Sequence, residues 1–143
     1  MTATETKKVK PSLLVRVLGW LISLLTPVAL ILAVVRLVLG PYYVQLEYQA
    51  PGFPVDRYGF STQERLHWAQ LSREYLLNSA DISYLADLHF DNGQPIYNER
   101  ELKHMVDVKN TVKAAMKAWY VSLAGLFGLG LWARLGGWWA EYK

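Results

Sequence analysis

Residues 17–35 read VLGWLISLLTPVALILAVV, nineteen positions without a charged side chain between Arg16 and Arg36. At 1.5 Å per residue, a helix of this length spans roughly 28 Å, which matches the hydrocarbon core of a bilayer. The stretch is longer than the core of a signal peptide, and no small-x-small cleavage pattern precedes Pro41. We therefore expect a retained transmembrane helix over residues 13–40, and this element decides the fold class.

A second apolar stretch, residues 118–133, lies between Lys117 and Arg134. Its sixteen uncharged residues span roughly 24 Å, and the two flanking cations can extend to the headgroups. We expect a juxtamembrane and transmembrane helix over residues 112–135. Gly125 and Gly128 lie within it, and glycines of this kind let another membrane helix approach closely. A glycine-rich span without such a partner would have the same sequence.

The distribution of charge indicates the orientation of both spans. Residues 1–16 have a net charge of +3, whereas residues 41–111 contain ten acidic and six basic side chains, a net charge of −4. The positive-inside rule then places a basic N-terminus, residues 1–12, and a C-terminal tail, residues 136–143, in the cytoplasm. Residues 41–111 lie outside the plasma or inner membrane. Lipids are the expected partners and nucleic acid is not, because six Trp and nine Tyr suit the two bilayer surfaces.

The extracytoplasmic segment has the patterns of a small, mostly helical domain. Alternating apolar and polar side chains in residues 42–49 predict a half-buried strand. Ser61 and Glu64 form a capping-box pattern for a helix that ends near Asn78, and Asp81 is placed to cap a shorter one. The turn residues 91–94 predict a small hairpin. Asn98 and Glu101 then mark the start of a long helix that continues into the second span.

The predicted fold class is therefore an α-helical membrane protein with two transmembrane helices. Between them lies a small, mostly helical extracytoplasmic domain that includes one short strand and a hairpin. The chain has no cysteine, so disulfides and cysteine-ligated zinc or iron–sulfur clusters are excluded. Its three histidines lie outside the spans and lack the spacing of helical zinc ligands. We expect no metal and no cofactor.

His104 is the strongest candidate for chemistry. Helical spacing places Arg100, His104 and either Asp107 or Val108 along one ridge, with Glu101 one turn earlier. An imidazole that a carboxylate orients can take a proton from an amine or hydroxyl. A histidine on the charged surface of a helix is the simpler interpretation. Three apolar residues follow Arg36, which places its side chain inside the outer edge of the hydrocarbon. Either the guanidinium belongs to a functional site at that depth, or it extends to the headgroups.

Residues 97–109 read YNERELKHMVDVK, after a glycine-containing hairpin and before a membrane span. This stretch resembles the signature of the lipoprotein intramolecular transacylase (Lit) family, and the layout is similar over most of the chain. The resemblance implies a bacterial inner-membrane protein that moves an acyl chain from the glyceryl group to the amino group of a lipoprotein's N-terminal cysteine. It implies an acid/base role for His104. Glu101 or Asp107 would orient the imidazole, and Arg36 and Arg100 would contact lipid or an anion.

The family pattern continues with two further spans and with a second histidine in a His-x-x-Phe-Phe-like outer segment, and these 143 residues contain neither the spans nor that segment. Two hypotheses follow. In the first, the chain is a non-catalytic accessory or structural subunit whose glycine face packs against other transmembrane subunits. The complex could be respiratory, photosynthetic or lipoprotein-processing. In the second, the chain performs acyl transfer, as a fragment or with helices from a second polypeptide. The length favours the first; a plain anchor for an outer domain is a weaker third hypothesis.

Overall fold

The structure is a computed structural model that describes residues 12–136. It contains the helices α1 (Leu13–Val38), α2 (Pro41–Tyr48), α3 (Thr62–Leu77), α4 (Ser83–Ala86) and α5 (Glu99–Leu135). The described residues form two compact units, residues 12–30 with 120–136 and residues 31–119. The predicted cytoplasmic tails, residues 1–12 and 136–143, lie almost entirely outside the described residues.

Two helices, α1 and α5, are long and apolar enough to cross a membrane, with 26 and 37 residues. In each helix, only 6% of an apolar stretch of 18 residues is buried. Helices whose apolar side chains are exposed on most sides are typical of segments that contact lipid. The two predicted spans are thus confirmed as long apolar helices.

In the first unit, α1 and α5 approach each other closely at Gly125. A Cβ atom added there would lie 3.2 Å from Leu25 Cδ1. The buried residues of this unit are Val15, Leu18, Ala29 and Ser122. Gly128 differs from Gly125, because a Cβ atom at Gly128 would meet nothing within 4 Å.

Two capping boxes fix where α3 and α5 begin. Ser61 Oγ accepts from the backbone N–H of Glu64 at 3.2 Å, and Glu64 Oε2 accepts from that of Ser61 at 2.7 Å. Asn98 and Glu101 exchange the equivalent bonds at 2.9 and 3.0 Å. Each box satisfies backbone donors that a helix start leaves unpaired. Both predicted helix starts are confirmed.

The predicted strand at residues 42–49 is wrong, because residues 41–48 form α2. Pro41 at the first helical position presets the backbone for a helix. Val44 and Tyr48, four residues apart, are half-buried, whereas Leu46 between them is 71% exposed. The inward face therefore repeats every four residues, as in a helix, and not every two.

The predicted hairpin is present only as an isolated bridge between His89 and Pro95. Its turn is tight: Phe90 N–H donates to the Gln94 carbonyl at 2.8 Å, and Gly93 takes the left-handed φ of 79° that the turn requires. A second bond, from Ile96 N–H to the Leu88 carbonyl at 3.0 Å, completes the bridge. Within residues 12–136 there is no β-strand, so that part of the predicted fold class is not observed.

The second unit has its core where α3 meets the segment that carries α4. Tyr75 and Leu85 are buried, and the rings of Tyr75 and Tyr84 stack with centroids 6.4 Å apart. Asp81 Oδ1 accepts from the backbone N–H of Ser83 at 2.9 Å. The N-cap residue of α4 is nevertheless Ile82, and no side chain caps this helix, so the predicted cap by Asp81 is not observed. This core supports the beginning of α5.

Candidate functional site

An open groove of about 640 Å³ lies at the start of α5 and includes His104. Its lining consists of Ile96, Tyr97, Asn98, Arg100, Glu101, His104 and Met105. The groove thus brings together three of the predicted site residues, His104, Arg100 and Glu101. Asp107 and Arg36 do not line it.

Tyr97 connects the edge of this groove to α3. Its hydroxyl lies 2.6 Å from Ser72 Oγ, and Ser72 Oγ donates to the Trp68 carbonyl at 2.7 Å. Because the single Ser72 proton points at Trp68, Tyr97 is the donor to Ser72. The residues before α5 are therefore held against α3 by a hydrogen-bonded chain.

The His104 ring is exposed and, among the described residues, makes no hydrogen bond to a carboxylate. Glu101 Oε2 is occupied by the backbone N–H of Asn98 at 2.9 Å. The Asp107 side chain is exposed, and only its backbone carbonyl is engaged, by Thr111 Oγ1 at 3.0 Å. His104 therefore lies in the groove without the orienting partner that its spacing predicted.

Arg36 lies in the last turn of α1 and is half-buried. A cation at this position is favourable because the C-terminal end of a helix carries partial negative charge. Arg100 is exposed and lies one helical turn before His104. Of the two arginines proposed to contact an anion or lipid, only Arg100 shares the groove with His104.

The structure places a buried cation, Lys109, where the sequence analysis assigned no function. Its side chain is only 4% exposed. Nζ donates to Asn78 Oδ1 at 3.1 Å and to the Ala80 carbonyl at 2.5 Å, and lies 3.8 Å from the centre of the Tyr75 ring. Burial, together with the charge of Lys113, lowers the pKa of Lys109.

Lys109 links α5 to the residues that follow α3, and its three contacts use all of its donors. This indicates a structural role rather than a reactive amine. A signal for it was present in the sequence, because Lys109 interrupts an apolar stripe along α5. The other members of that stripe are Leu102, Met105, Val106, Val112 and Met116. A charged side chain on such a stripe must be buried with partners or lie outside the core.

The other two histidines lie elsewhere in the second unit. The His67 ring meets the edge of Trp68 with centroids 4.8 Å apart. His89 Nδ1 lies 2.9 Å from the Asp87 carbonyl. In residues 12–136, no three His, Asp or Glu side chains converge on one point as metal ligands would.

Comparison with known proteins gives little further information. No family model matches the chain, and no solved structure matches it. A relative described as an uncharacterized protein, from Aquifex aeolicus (strain VF5), is 29% identical over 96 residues. The match covers 64% of this chain and 44% of the relative. The chain therefore spans less than half the length of this relative.

Proposed function

We propose that the chain is a two-pass protein of the plasma or inner membrane with both termini in the cytoplasm. We further propose that it acts as a non-catalytic accessory or structural subunit of a larger membrane complex. The charge difference between residues 1–16 and residues 41–111 supports the orientation. Residues 41–111 would then lie outside the membrane.

Gly128 is the observation that best supports a subunit function. It lies in the middle of an apolar face of α5, with open space where a Cβ atom would be. Val121 and Leu135 lie seven residues from Gly128, and Leu131 lies three residues from it. All three side chains are exposed on this face. A glycine among larger apolar residues forms a depression that the backbone of another membrane helix can enter.

Substitution of Gly128 by Leu tests this proposal. Because the change fills the depression without meeting any atom of its own chain, it should release partner subunits and leave the chain folded. The measurement is co-purification from native membranes in mild detergent, with the wild-type chain as reference. Companions that stay bound to Gly128→Leu in the same ratio would count against the subunit function.

Acyl transfer of the Lit type is a second candidate, and the groove beside His104 supports it. In this scheme the imidazole takes a proton from the attacking amine as the new N–C bond forms. It then gives that proton to the glyceryl oxygen as the ester C–O bond breaks. Arg100 would face the carbonyl or a neighbouring phosphate, and additional helices would enclose the acyl chain.

The two candidates differ in what they require of His104. Replacement by Gln keeps the size and polarity of the side chain but removes the basic nitrogen. Acyl transfer predicts the loss of N-acylated lipoprotein when His104→Gln replaces the native chain, as measured by mass spectrometry of the lipoprotein N-terminus. A non-catalytic subunit predicts unchanged lipoprotein and unchanged assembly of the complex.

A further inference from the structure

The short helix α2 starts immediately after the first span. Only Leu39 and Gly40 separate α1 from α2, so Pro41 lies within about 11 Å of the end of α1. Gly40 N–H donates to the Leu37 carbonyl at 2.8 Å. A Cβ atom on Gly40 would lie 2.8 Å from that same backbone oxygen, so this tight joint requires glycine.

The joint is also held from the side by α3. Arg73 Nη1 donates to the Leu39 carbonyl at 3.4 Å, and the Arg73 side chain is 15% exposed. This bond supplies a donor to a carbonyl that the end of α1 leaves unpaired. The start of α2 is therefore fixed close to the last turn of α1.

The two faces of α2 differ in what covers them. Val44 and Tyr48 are half-buried, and the Tyr48 ring packs on Phe53 with centroids 4.6 Å apart. On the opposite side, Tyr42 is 76% exposed and Leu46 is 71% exposed. These two residues are four positions apart and so lie one above the other on the helix surface.

We propose that the Tyr42–Leu46 face of α2 lies in the outer headgroup layer of the bilayer and contacts lipid. The inference rests on the membrane insertion proposed above. Its occupant follows from continuity, because a helix joined to a span by two residues lies at the bilayer surface. Tyrosine is a preferred side chain at that depth, with its ring among apolar groups and its hydroxyl in the headgroup layer.

The charges near α2 indicate which lipids this face accepts. Residues 37–56 contain no Lys or Arg, and Glu47 is the only charged residue in α2. No cation is therefore available on α2 to attract anionic headgroups. The contact of Tyr42 and Leu46 therefore depends on their apolar and aromatic area, and should form with neutral as well as with anionic phospholipid.

The absence of native cysteine makes a direct test simple. Single-cysteine variants of the full chain, Tyr42→Cys and Leu46→Cys, are spin-labelled and reconstituted into two kinds of vesicle. One is phosphatidylcholine, and the other is phosphatidylethanolamine with phosphatidylglycerol. Collision rates with oxygen, which enters lipid, are compared with those of a water-soluble nickel chelate. Glu47→Cys is the control on the same helix, and Val34→Cys is the control within α1.

We expect the ratio of the oxygen collision rate to the nickel-chelate collision rate to be several-fold higher at Tyr42→Cys and Leu46→Cys than at Glu47→Cys in both kinds of vesicle. It should correspond to a depth of about 5–10 Å in the interface. If the label at Val34→Cys is in lipid while the labels at Tyr42→Cys and Leu46→Cys are as accessible to the nickel chelate as a label in water, this inference alone is overturned. Labels shielded from both reagents also overturn it, because protein would then cover the face. A water-like Val34→Cys overturns the membrane insertion itself.

Discussion

Lys109 shows how a charged residue can belong to a small core. A buried ammonium is costly unless its donors are paired, and here two oxygens and the face of Tyr75 meet its three donors. Its partners come from residues 75–80, about thirty positions earlier in the chain. Lys109 therefore fixes the first part of α5 against the rest of residues 41–111, the outer unit.

Replacement of Lys109 by Met should destabilise this part of the outer unit. The variant removes the donor to the part-buried Ala80 carbonyl, and an acceptor that loses its donor on burial costs about 1–3 kcal/mol. Asn78 Oδ1 loses its bond with Lys109 but keeps the backbone N–H of Ala80 at 3.0 Å. Hydrogen exchange of the amides in residues 75–86 should accelerate by roughly 5- to 150-fold. Lys113→Met, on the exposed side of α5, is the matched control. Equal exchange in the two variants would show that Lys109 has no such role.

The acid stability of the outer unit depends on exposed carboxylates that accept backbone hydrogen bonds. The N–H groups of Phe60 and Tyr58 donate to Asp56 Oδ2 at 2.8 and 2.7 Å, and hold the pKa of Asp56 below its ordinary value of 3.8. The pKa of Glu64 is likewise lowered by its bonds with Ser61. Because the folded state binds the proton less tightly, this stabilisation is present above the ordinary pKa and is lost as pH falls through the folded value.

Asp56→Asn tests this linkage. The amide oxygen can still accept both backbone hydrogen bonds, but the side chain no longer titrates. We expect the melting temperature of the wild-type chain in detergent, followed by circular dichroism, to fall more steeply below about pH 4 than that of the variant. Superimposable acid limbs for the two proteins would mean that Asp56 contributes nothing to the pH dependence.

The site residues illustrate what helical spacing predicts and what it leaves open. Spacing correctly placed Arg100, Glu101 and His104 together at the start of α5. It did not predict that Glu101, whose Oε2 accepts from the backbone N–H of Asn98 in the predicted cap, makes no hydrogen bond to the imidazole. The partners of Lys109 depend on tertiary packing across thirty residues, which no local pattern contains.

At the scale of elements, capping chemistry predicted helices well and alternation predicted the strand badly. The starts of α3 and α5 follow from residues that bond to each other three positions apart. In residues 42–49 the alternating pattern also fits a helix with apolar residues on two faces. The sequence resolves this ambiguity only through Gly40 and Pro41, which favour a helix start.

Gly125 and Gly128, two of the three glycines of α5, provide a matched pair for the subunit proposal. A side chain at Gly125 would meet Leu25 of the same chain at 3.2 Å, whereas one at Gly128 meets open space. Gly125→Leu should therefore lower the melting temperature of the isolated chain in detergent, and Gly128→Leu should leave it unchanged while releasing partners. Equal thermal destabilisation by both changes would contradict this division of roles.

At the scale of the whole molecule, the account depends on two crossings of the membrane. Both α1 and α5 have the length and apolar exposure for this, and the charges on their flanks indicate one orientation. The groove beside His104, the core around Lys109 and the exposed face of α2 would then lie together on the outer side. Either proposed function requires this arrangement.

The most direct test is the labelling of single cysteines in intact cells with a membrane-impermeant maleimide. Val55 is 90% exposed in the outer unit, so Val55→Cys should react without permeabilisation. Lys8→Cys, in the basic N-terminal segment, should react only after the membrane is opened. Protection of Val55→Cys together with labelling of Lys8→Cys in intact cells would reverse the orientation, and labelling of neither or both would contradict two crossings with a cytoplasmic N-terminus.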